Sequence, residues 1–187
     1  MASLSNSQEN AEKLNTERLA EVVLEALESA LGCVEVYEAA ILASAHETLR
    51  AEWQGYLARK QDHVARLRAL CAGIGLDPYT LTAGRQIARH RTQGLVLAIE
   101  HARAALDPSA SELVAAESVV DAEARDLQNW KLIDQAKDRA SGEQRAALQR
   151  AYDSVMSEEH AHLYRSMGWV RELWIARLGL PAALPPS

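Results

Sequence analysis

Residues 155–163 read Val155-Met156-Ser157-Glu158-Glu159-His160-Ala161-His162-Leu163. Apolar residues recur here at helical spacing, and Glu159 falls on the apolar stripe that they form. Glu159 and His162 are three residues apart, so their side chains point the same way on a helix. A carboxylate on a buried stripe costs free energy unless a cation or a hydrogen-bond donor meets it. The segment therefore predicts a polar centre inside a helical protein.

The composition favours helices along the whole chain. The 187 residues include nine glycines and only five prolines, with none before Pro78, and Ala, Leu, Glu and Arg are abundant. No stretch of useful length alternates in the manner of a strand. The length fits one domain with its own core. We therefore expect an all-α protein.

Apolar periodicity and stop signals divide the chain into four long helices and a linker helix. The long helices are expected at about 16–42, 44–72, 111–138 and 143–179, and the linker helix at about 83–106. Ser44-x-x-Glu47 resembles a capping box at the start of the second helix, and the last helix is expected to kink near Gly168. The expected fold is an antiparallel four-helix bundle over residues 16–180, built as hairpin, crossover and hairpin. Residues 1–15 and 181–187 are expected to form a flexible N-terminal tail and a Pro-rich C-terminal tail.

Charge, hydropathy and cysteine content limit the partners and the compartment. The net charge is −6 with both signs interspersed, which argues against a nucleic-acid surface, and the basic cluster at 85–91 is short. No window approaches the roughly 18–20 apolar residues of a membrane helix, and residues 1–15 lack the apolar core of a signal peptide. Cys33 and Cys71 are too few for a disulfide framework. We expect a cytoplasmic protein with neither a nucleic acid nor a membrane as partner.

Metal-capable side chains fall on three of the predicted inward stripes. Glu159 and His162 lie on the fourth long helix, Glu123 interrupts an apolar row on the third, and His63 lies on the inner side of the second. Bundles of the ferritin-like kind hold two metal ions with one Glu from each of two helices and a Glu-x-x-His pair from each of the others. Carboxylate and imidazole groups suit iron, manganese or zinc. These residues are candidate metal ligands.

The second helix departs from this ligand pattern. The expected Glu-x-x-His reads Lys60-x-x-His63, and a protonated ammonium cannot ligate a metal. Lys60 could instead neutralise Glu123 and Glu159 in a buried ion pair. Asp126, one turn after Glu123, is either a second acceptor or a surface charge. The centre therefore holds two metal ions, one, or none.

The ligand from the first helix is open between two glutamates. Glu28 lies nearest to the level of His63, whereas Glu38 fits the apolar stripe better. Glu38 is expected about ten residues, or ~15 Å of helix, nearer the turn. Glu28 is therefore the preferred candidate, although it also continues an exposed acidic face.

Four short segments resemble the YciE/YciF-like family of ferritin-like bacterial stress proteins. Lys60-Gln61-Asp62-His63-Val64-Ala65-Arg66-Leu67 is similar to the family's Glu-Thr-x-x-His-Val-x-Arg-Leu run, with Arg59-Lys60 at the place of Glu-Thr. Gly94-Leu95-Val96-Leu97-Ala98-Ile99-Glu100 resembles its Gly-Leu-x-x-Glu-Gly segment, and Glu123-Ala124-Arg125-Asp126-Leu127-Gln128-Asn129-Trp130 its Glu-His-x-Glu-Ile-x-x-Tyr segment. Glu158-Glu159 resembles its Glu-Glu pair. The resemblance, over about residues 30–170, implies a ferritin-like bundle, a homodimer and a role in stress or iron handling.

Two functions follow as hypotheses. The first is an iron-binding protein, mononuclear or dinuclear, that acts as a non-haem iron oxidoreductase in oxidative or peroxide chemistry. Its metal ligands are His63, Glu123, Glu159 and His162, with Glu28 as a further ligand. The second is a metal-free bundle that acts as a homodimer or partner-binding module, with Lys60 in place of the metal charge. Trp169, Trp174 and the apolar C-terminal helix favour this second hypothesis, because such residues call for burial by a partner.

Overall fold

The structure is a computed structural model that describes residues 14–153 and 155–181. These residues form six helices and no strand, which confirms the prediction of an all-α protein. The helices are α1 (Thr16–Ala43), α2 (Glu47–Gly73), α3 (Ala83–Ala105), α4 (Pro108–Arg139), α5 (Gly142–Tyr152) and α6 (Val155–Arg177). The two predicted tails lie almost entirely outside the described residues.

The turn between α1 and α2 is held by a carboxylate from α4 rather than by the predicted capping box. His46 is the N-cap of α2 and its side chain makes no capping hydrogen bond. Ser44 Oγ donates instead to Glu112 Oε1, over 2.8 Å. The backbone N–H groups of Ala45 and His46 donate to the same oxygen over 2.9 and 2.7 Å. The capping-box prediction was wrong because a buried glutamate, distant in sequence, takes the acceptor role.

The last predicted helix is two helices, one that ends at Tyr152 and one that begins at Val155. Asp153 ends α5 with a non-helical backbone (φ −54°, ψ 131°), and its N–H still donates to the carbonyl of Gln149. Arg66 of α2 donates to the carbonyl of Asp153, which is thereby satisfied outside a helix. Gly168 lies within α6, which continues past it to Arg177, and the kink expected there stays a prediction. The break positions the N-terminal turns of α6, which carry Glu159 and His162, independently of α5.

Side-chain contacts give the relative directions of the long helices. Ser44 near the end of α1 meets Glu112 near the start of α4, whereas Glu25 near the start of α1 meets Arg125 farther along α4. Helices α1 and α4 therefore run in opposite directions. The same reasoning applies to α2 and α6, because Tyr56 contacts His162 while Arg66 reaches Asp153, just before α6.

A layer of polar residues separates two apolar clusters in the described part of the chain. On α2, α4 and α6, the polar residues of this layer fall in sequence between members of the two clusters. On α2, for example, Tyr56 belongs to one cluster, Val64 to the other, and Lys60 and His63 lie between them. The layer is therefore in the middle of the protein and has apolar packing above and below. Among the described helices, none combines the length and the apolar character that a membrane span needs.

Candidate buried polar centre

Six charged or titratable side chains from α2, α4 and α6 meet in this layer. Lys60, Glu123, Asp126 and Glu159 each have 0% of their surface exposed, and His63 and His162 have 1%. The prediction that Glu159 and His162 lie on the inner stripe of their helix is confirmed by this burial. Lys60 is carried inward because it continues the α2 stripe that includes Trp53, Tyr56 and Leu67.

The Lys60 ammonium lies at the middle of three carboxylates. Its Nζ is 2.5 Å from Glu159 Oε1, 2.7 Å from Asp126 Oδ2 and 2.9 Å from Glu123 Oε2. This geometry matches the interpretation of Lys60 as a buried counter-charge for Glu123 and Glu159. Asp126, which the sequence left open as an acceptor or a surface charge, is the third acceptor.

Helix α1 supplies a hydroxyl rather than a carboxylate to the centre. Tyr37 Oη donates to Glu123 Oε1 over 2.5 Å. The Tyr37 ring also packs edge-on against Tyr56 of α2, with 6.2 Å between the ring centroids. This role was not predicted, because Tyr37 occupies an ordinary position in the apolar stripe of α1. A tyrosine level with a buried carboxylate on a neighbouring helix is the signal that could have found it.

Each buried histidine is covered by a charged residue from the facing helix. His63 Nε2 of α2 lies 3.4 Å from Glu158 Oε2 of α6, and its Nδ1 lies 3.1 Å from Glu159 Oε1. Conversely, His162 Nε2 of α6 lies 3.3 Å from Arg59 Nη1 of α2. The exposed Arg59 and the partly buried Glu158 thus close the seam between α2 and α6 over the centre.

Electrostatics favour a charged Lys60–Glu159 pair and a neutral His162. Burial opposes the charged form of Lys60, but the carboxylates of Asp126, Glu123 and Glu159 together raise its pKa well above the ordinary value. Burial likewise opposes ionisation of Glu159, but Lys60 and a hydrogen bond with His63 lower its pKa to about 2. Burial and the nearby Lys60 charge lower the pKa of His162 to about 3. At neutral pH the ammonium and the Glu159 carboxylate therefore both carry charge.

The other two carboxylic acids are harder to ionise. Burial raises the pKa of Glu123 to about 7. The opposing effect of the Lys60 charge is only partial, and the negative charge of Glu159 acts in the same direction as burial. Burial also raises the pKa of Asp126, against the opposing effect of Lys60. One ammonium lies among three carboxylic acids. Glu159 ionises most easily, because it is nearest to Lys60 and also contacts His63.

Two overlapping groups of side chains have atoms close enough to share a metal ion. They are His63, Asp126 and Glu159, and Glu123, Glu159 and His162, with the candidate atoms of each group within 4.8 Å of one another. Within the described residues, Nδ1 of His162 has no hydrogen-bond partner, whereas the nitrogens of His63 lie near the carboxylates of Glu158 and Glu159. Four of the five predicted ligands are therefore brought together. Lys60 Nζ lies among these side chains. It donates hydrogen bonds to Glu159, which belongs to both groups, and to Asp126, which belongs to one of them.

Glu28, the fifth predicted ligand, lies elsewhere. It is buried, but its two carboxylate oxygens accept hydrogen bonds from Arg85 Nε and Arg89 Nε of α3, each over 2.6 Å. Glu38, the alternative, is exposed. A residue near position 26 of α1 was expected to lie level with His63 of α2. The contact between Tyr37 and Tyr56 instead places Ala30 across from His63. The same contacts account for two arginines of the basic cluster at 85–91.

Comparison of the chain with protein-family models, with curated proteins and with solved structures finds no match.

Proposed function

We propose that the protein is a ferritin-like bundle whose centre is closed by the Lys60 ammonium in place of a metal ion, and that it acts as a protein-binding module. The observation that carries this proposal is the position of Lys60 Nζ, within 2.9 Å of three buried carboxylates. An internal ammonium supplies the positive charge that buried carboxylates require. Such a centre holds the helices together without an ion from solution.

The direction of the helices supports the ferritin-like part of the proposal. Helices α1 and α2 form a hairpin. Helix α4 runs antiparallel to α1, α6 runs antiparallel to α2, and α3 connects the two halves. With α5 and α6 counted as one broken helix, this corresponds to a four-helix bundle with a crossover connection. The resemblance to the YciE/YciF-like family leads to the same proposal from sequence motifs.

The charge of Lys60 argues against a resident divalent ion at this centre. Two unit charges 4 Å apart repel by about 4 kcal/mol at the effective dielectric of a protein site, so a divalent ion doubles that penalty. The raised pKa of Lys60 means that the ammonium does not escape the repulsion by losing its proton. While Lys60 occupies its observed position, the residues do not fit a metal ion.

A metal site is the second candidate, and a separate observation favours it. The two overlapping ligand groups and the unpartnered Nδ1 of His162 offer the oxygen and nitrogen donors that iron, manganese or zinc binds. This candidate requires that the Lys60 side chain leave the centre. An oxidoreductase or stress-related role belongs to this second candidate.

Metal loading of the purified protein distinguishes the two candidates. The protein is incubated with iron(II), manganese(II) or zinc(II), desalted, and analysed for bound metal per chain. We expect less than a tenth of an ion per wild-type chain, and close to one ion per chain for Lys60→Glu, which replaces the ammonium by a ligand. Stoichiometric metal on the wild type that is lost in Glu159→Ala would overturn the metal-free proposal.

Arg68→Glu is the matched control for this experiment. It makes the same change of charge on the same helix, at an exposed position. Its metal content should equal that of the wild type. Equal gains of metal in both variants would indicate nonspecific surface binding and would contradict the placement of Lys60 at the metal position.

A further inference from the structure

A cleft lies at one end of the bundle, where the turn between α1 and α2 meets the connection between α3 and α4. Its volume is about 250 Å³, and residues of the ranges 42–45 and 103–111 line it. None of these residues belongs to the polar layer, so the cleft is separate from the centre around Lys60. An apolar cavity of about 150 Å³ can hold one benzene molecule, so this cleft has room for roughly ten non-hydrogen atoms.

Most of the cleft wall is apolar and open to solvent. Leu42 from the end of α1 is 67% exposed, and Leu106 from the end of α3 is 50% exposed. Pro108, at the start of α4, also lines the cleft and is exposed. A ligand with an apolar body would remove these side chains from water, which is favourable. Sites for small molecules combine such walls with a few polar groups that fix the orientation of the ligand.

Two polar side chains of the cleft wall have unused hydrogen-bonding capacity. Within the part of the chain that the structure describes, the exposed Arg103 makes no ion pair and no hydrogen bond. Ser111 is only 4% exposed, and its Oγ has no hydrogen-bond partner among the described residues. A buried hydroxyl without a partner costs free energy. A guanidinium and a hydroxyl both donate hydrogen bonds, and a carboxylate accepts them from both.

The acidic residues next to the cleft are already engaged and do not neutralise Arg103. Asp107 accepts a hydrogen bond from the N–H of Ala110 over 2.9 Å and lies 3.5 Å from Arg177 Nη1. Glu112 Oε1 accepts the three hydrogen bonds from the α1–α2 turn. The charges of Asp107 and Glu112 repel a doubly charged anion more than a singly charged one. The cleft therefore suits a carboxylate better than a phosphate.

We propose that this cleft binds a small amphipathic monocarboxylate. The carboxylate lies between the Arg103 guanidinium and the Ser111 hydroxyl, and its aliphatic or aromatic body lies against Leu42 and Leu106. This activity goes beyond the proposed protein-binding role, and it depends neither on a metal ion nor on Lys60.

Titration of the full, ¹⁵N-labelled chain with hexanoate tests the proposal by NMR. We expect saturable shifts of backbone amides within 42–45 and 103–111, with a Kd of about 0.1–1 mM for a ligand of this size. Hexanamide, which has the same number of non-hydrogen atoms without the charge, should bind at least about fivefold more weakly. Inorganic phosphate and acetate, which lack the apolar body, should also bind more weakly than hexanoate.

Variants of the two polar side chains test how the carboxylate is held. Arg103→Gln should weaken hexanoate binding roughly fivefold, because it removes the charge, and Ser111→Ala roughly threefold. Arg91→Gln is the matched control, at an exposed position of the same helix, and should leave the Kd unchanged. Circular dichroism should show the same helix content in all three variants.

Three outcomes would overturn the proposal. The first is the absence of saturable shifts in the two ranges up to about 20 mM hexanoate, well above the expected Kd. The second is equal binding of hexanoate and hexanamide, which would indicate an apolar cleft without selection for charge. The third is a Kd for hexanoate that changes neither in Arg103→Gln nor in Ser111→Ala. Tighter binding of phosphate than of hexanoate would contradict the preference for a monocarboxylate.

Discussion

At the scale of single residues, Lys60 is the side chain on which the centre depends. Its three carboxylate partners are fully buried, so they cannot exchange the ammonium for water. A buried ion pair often contributes little net stability relative to an apolar replacement of all its members. Removal of one member is different, because the remaining charges stay buried without compensation. Replacing Lys60 alone should therefore lower the free energy of unfolding much more than replacing a surface cation.

Lys60→Met keeps the length of the side chain and removes its charge. We expect it to lower the free energy of unfolding at pH 7.5 by about 3–5 kcal/mol, the cost of breaking a buried pair. Urea unfolding followed by circular dichroism measures the loss. Arg68→Met, at an exposed position of the same helix, should change the free energy by less than about 0.5 kcal/mol. A loss below 1 kcal/mol for Lys60→Met would mean that the carboxylates take up protons or solvent at little cost.

The pH dependence of stability should show opposite slopes on the two sides of pH 4.5. The pKa of Glu159 falls in the folded protein from 4.5 to about 2, so its contribution is present above pH 4.5 and is lost as the pH falls towards 2. The pKa of Glu123 rises from 4.5 to about 7, so the folded protein binds the extra proton between these values. Its contribution is present below pH 4.5 and is lost as the pH rises through 7.

Glu123→Gln separates these two effects. The amide keeps the size of the side chain, remains neutral, and can still interact with Tyr37. Urea unfolding between pH 4.5 and 8 should show a smaller decline of stability with rising pH in Glu123→Gln than in the wild type, with the remaining slope coming from Asp126, whose pKa is also raised. Identical slopes in the two proteins would show that Glu123 stays ionised beside Lys60 throughout this range.

Helical periodicity was enough to gather most of the centre from sequence. His63, Glu123, Glu159 and His162 were placed correctly on inner stripes because a residue's face follows from its spacing alone. The pairing of Glu28 with Arg85 and Arg89 was missed because it depends on how α3 crosses α1, which no local spacing encodes. The hydrogen bond from Tyr37 was missed for a related reason, since it depends on the relative level of α1 and α4.

At the scale of the helices, the crossing of α1 and α3 depends on one glycine. A Cβ placed on Gly32 of α1 falls 2.2 Å from Oγ1 and 2.4 Å from Cβ of Thr92 on α3. Both atoms are close to the backbone of α3, so the clash cannot be relieved by rotation of a long side chain. The two helices touch here because Gly32 has no side chain.

Gly32→Ala should therefore destabilise the protein although alanine favours helices. We expect a loss of about 1–3 kcal/mol from overpacking, measured by urea unfolding. The control is Gly94→Ala, at an exposed position of α3, where no described atom lies within 4 Å of the added Cβ. That change should stabilise the protein by about 0.5–1 kcal/mol, because alanine is the better helix former. The same sign for both substitutions would mean that α3 shifts freely on α1.

The helix boundaries show what local sequence signals can and cannot determine. Four helices begin or end close to the predicted residues, since glycine, proline and capping patterns act within a few residues of a terminus. The break at Asp153 was not predicted, because no glycine or proline marks it and a contact from Arg66 of α2 helps to satisfy it.

At the scale of the whole molecule, the buried centre joins three helices that lie far apart in the sequence. Lys60 of α2 meets Glu123 and Asp126 of α4 and Glu159 of α6. Because one ammonium neutralises carboxylates from two other helices, its loss removes support from α4 and α6 together. Lys60→Met should therefore weaken the fold as one unit, and its urea unfolding should remain a single transition at a lower urea concentration. A second, separate transition in this variant would show that one of these helices is held in place without the centre.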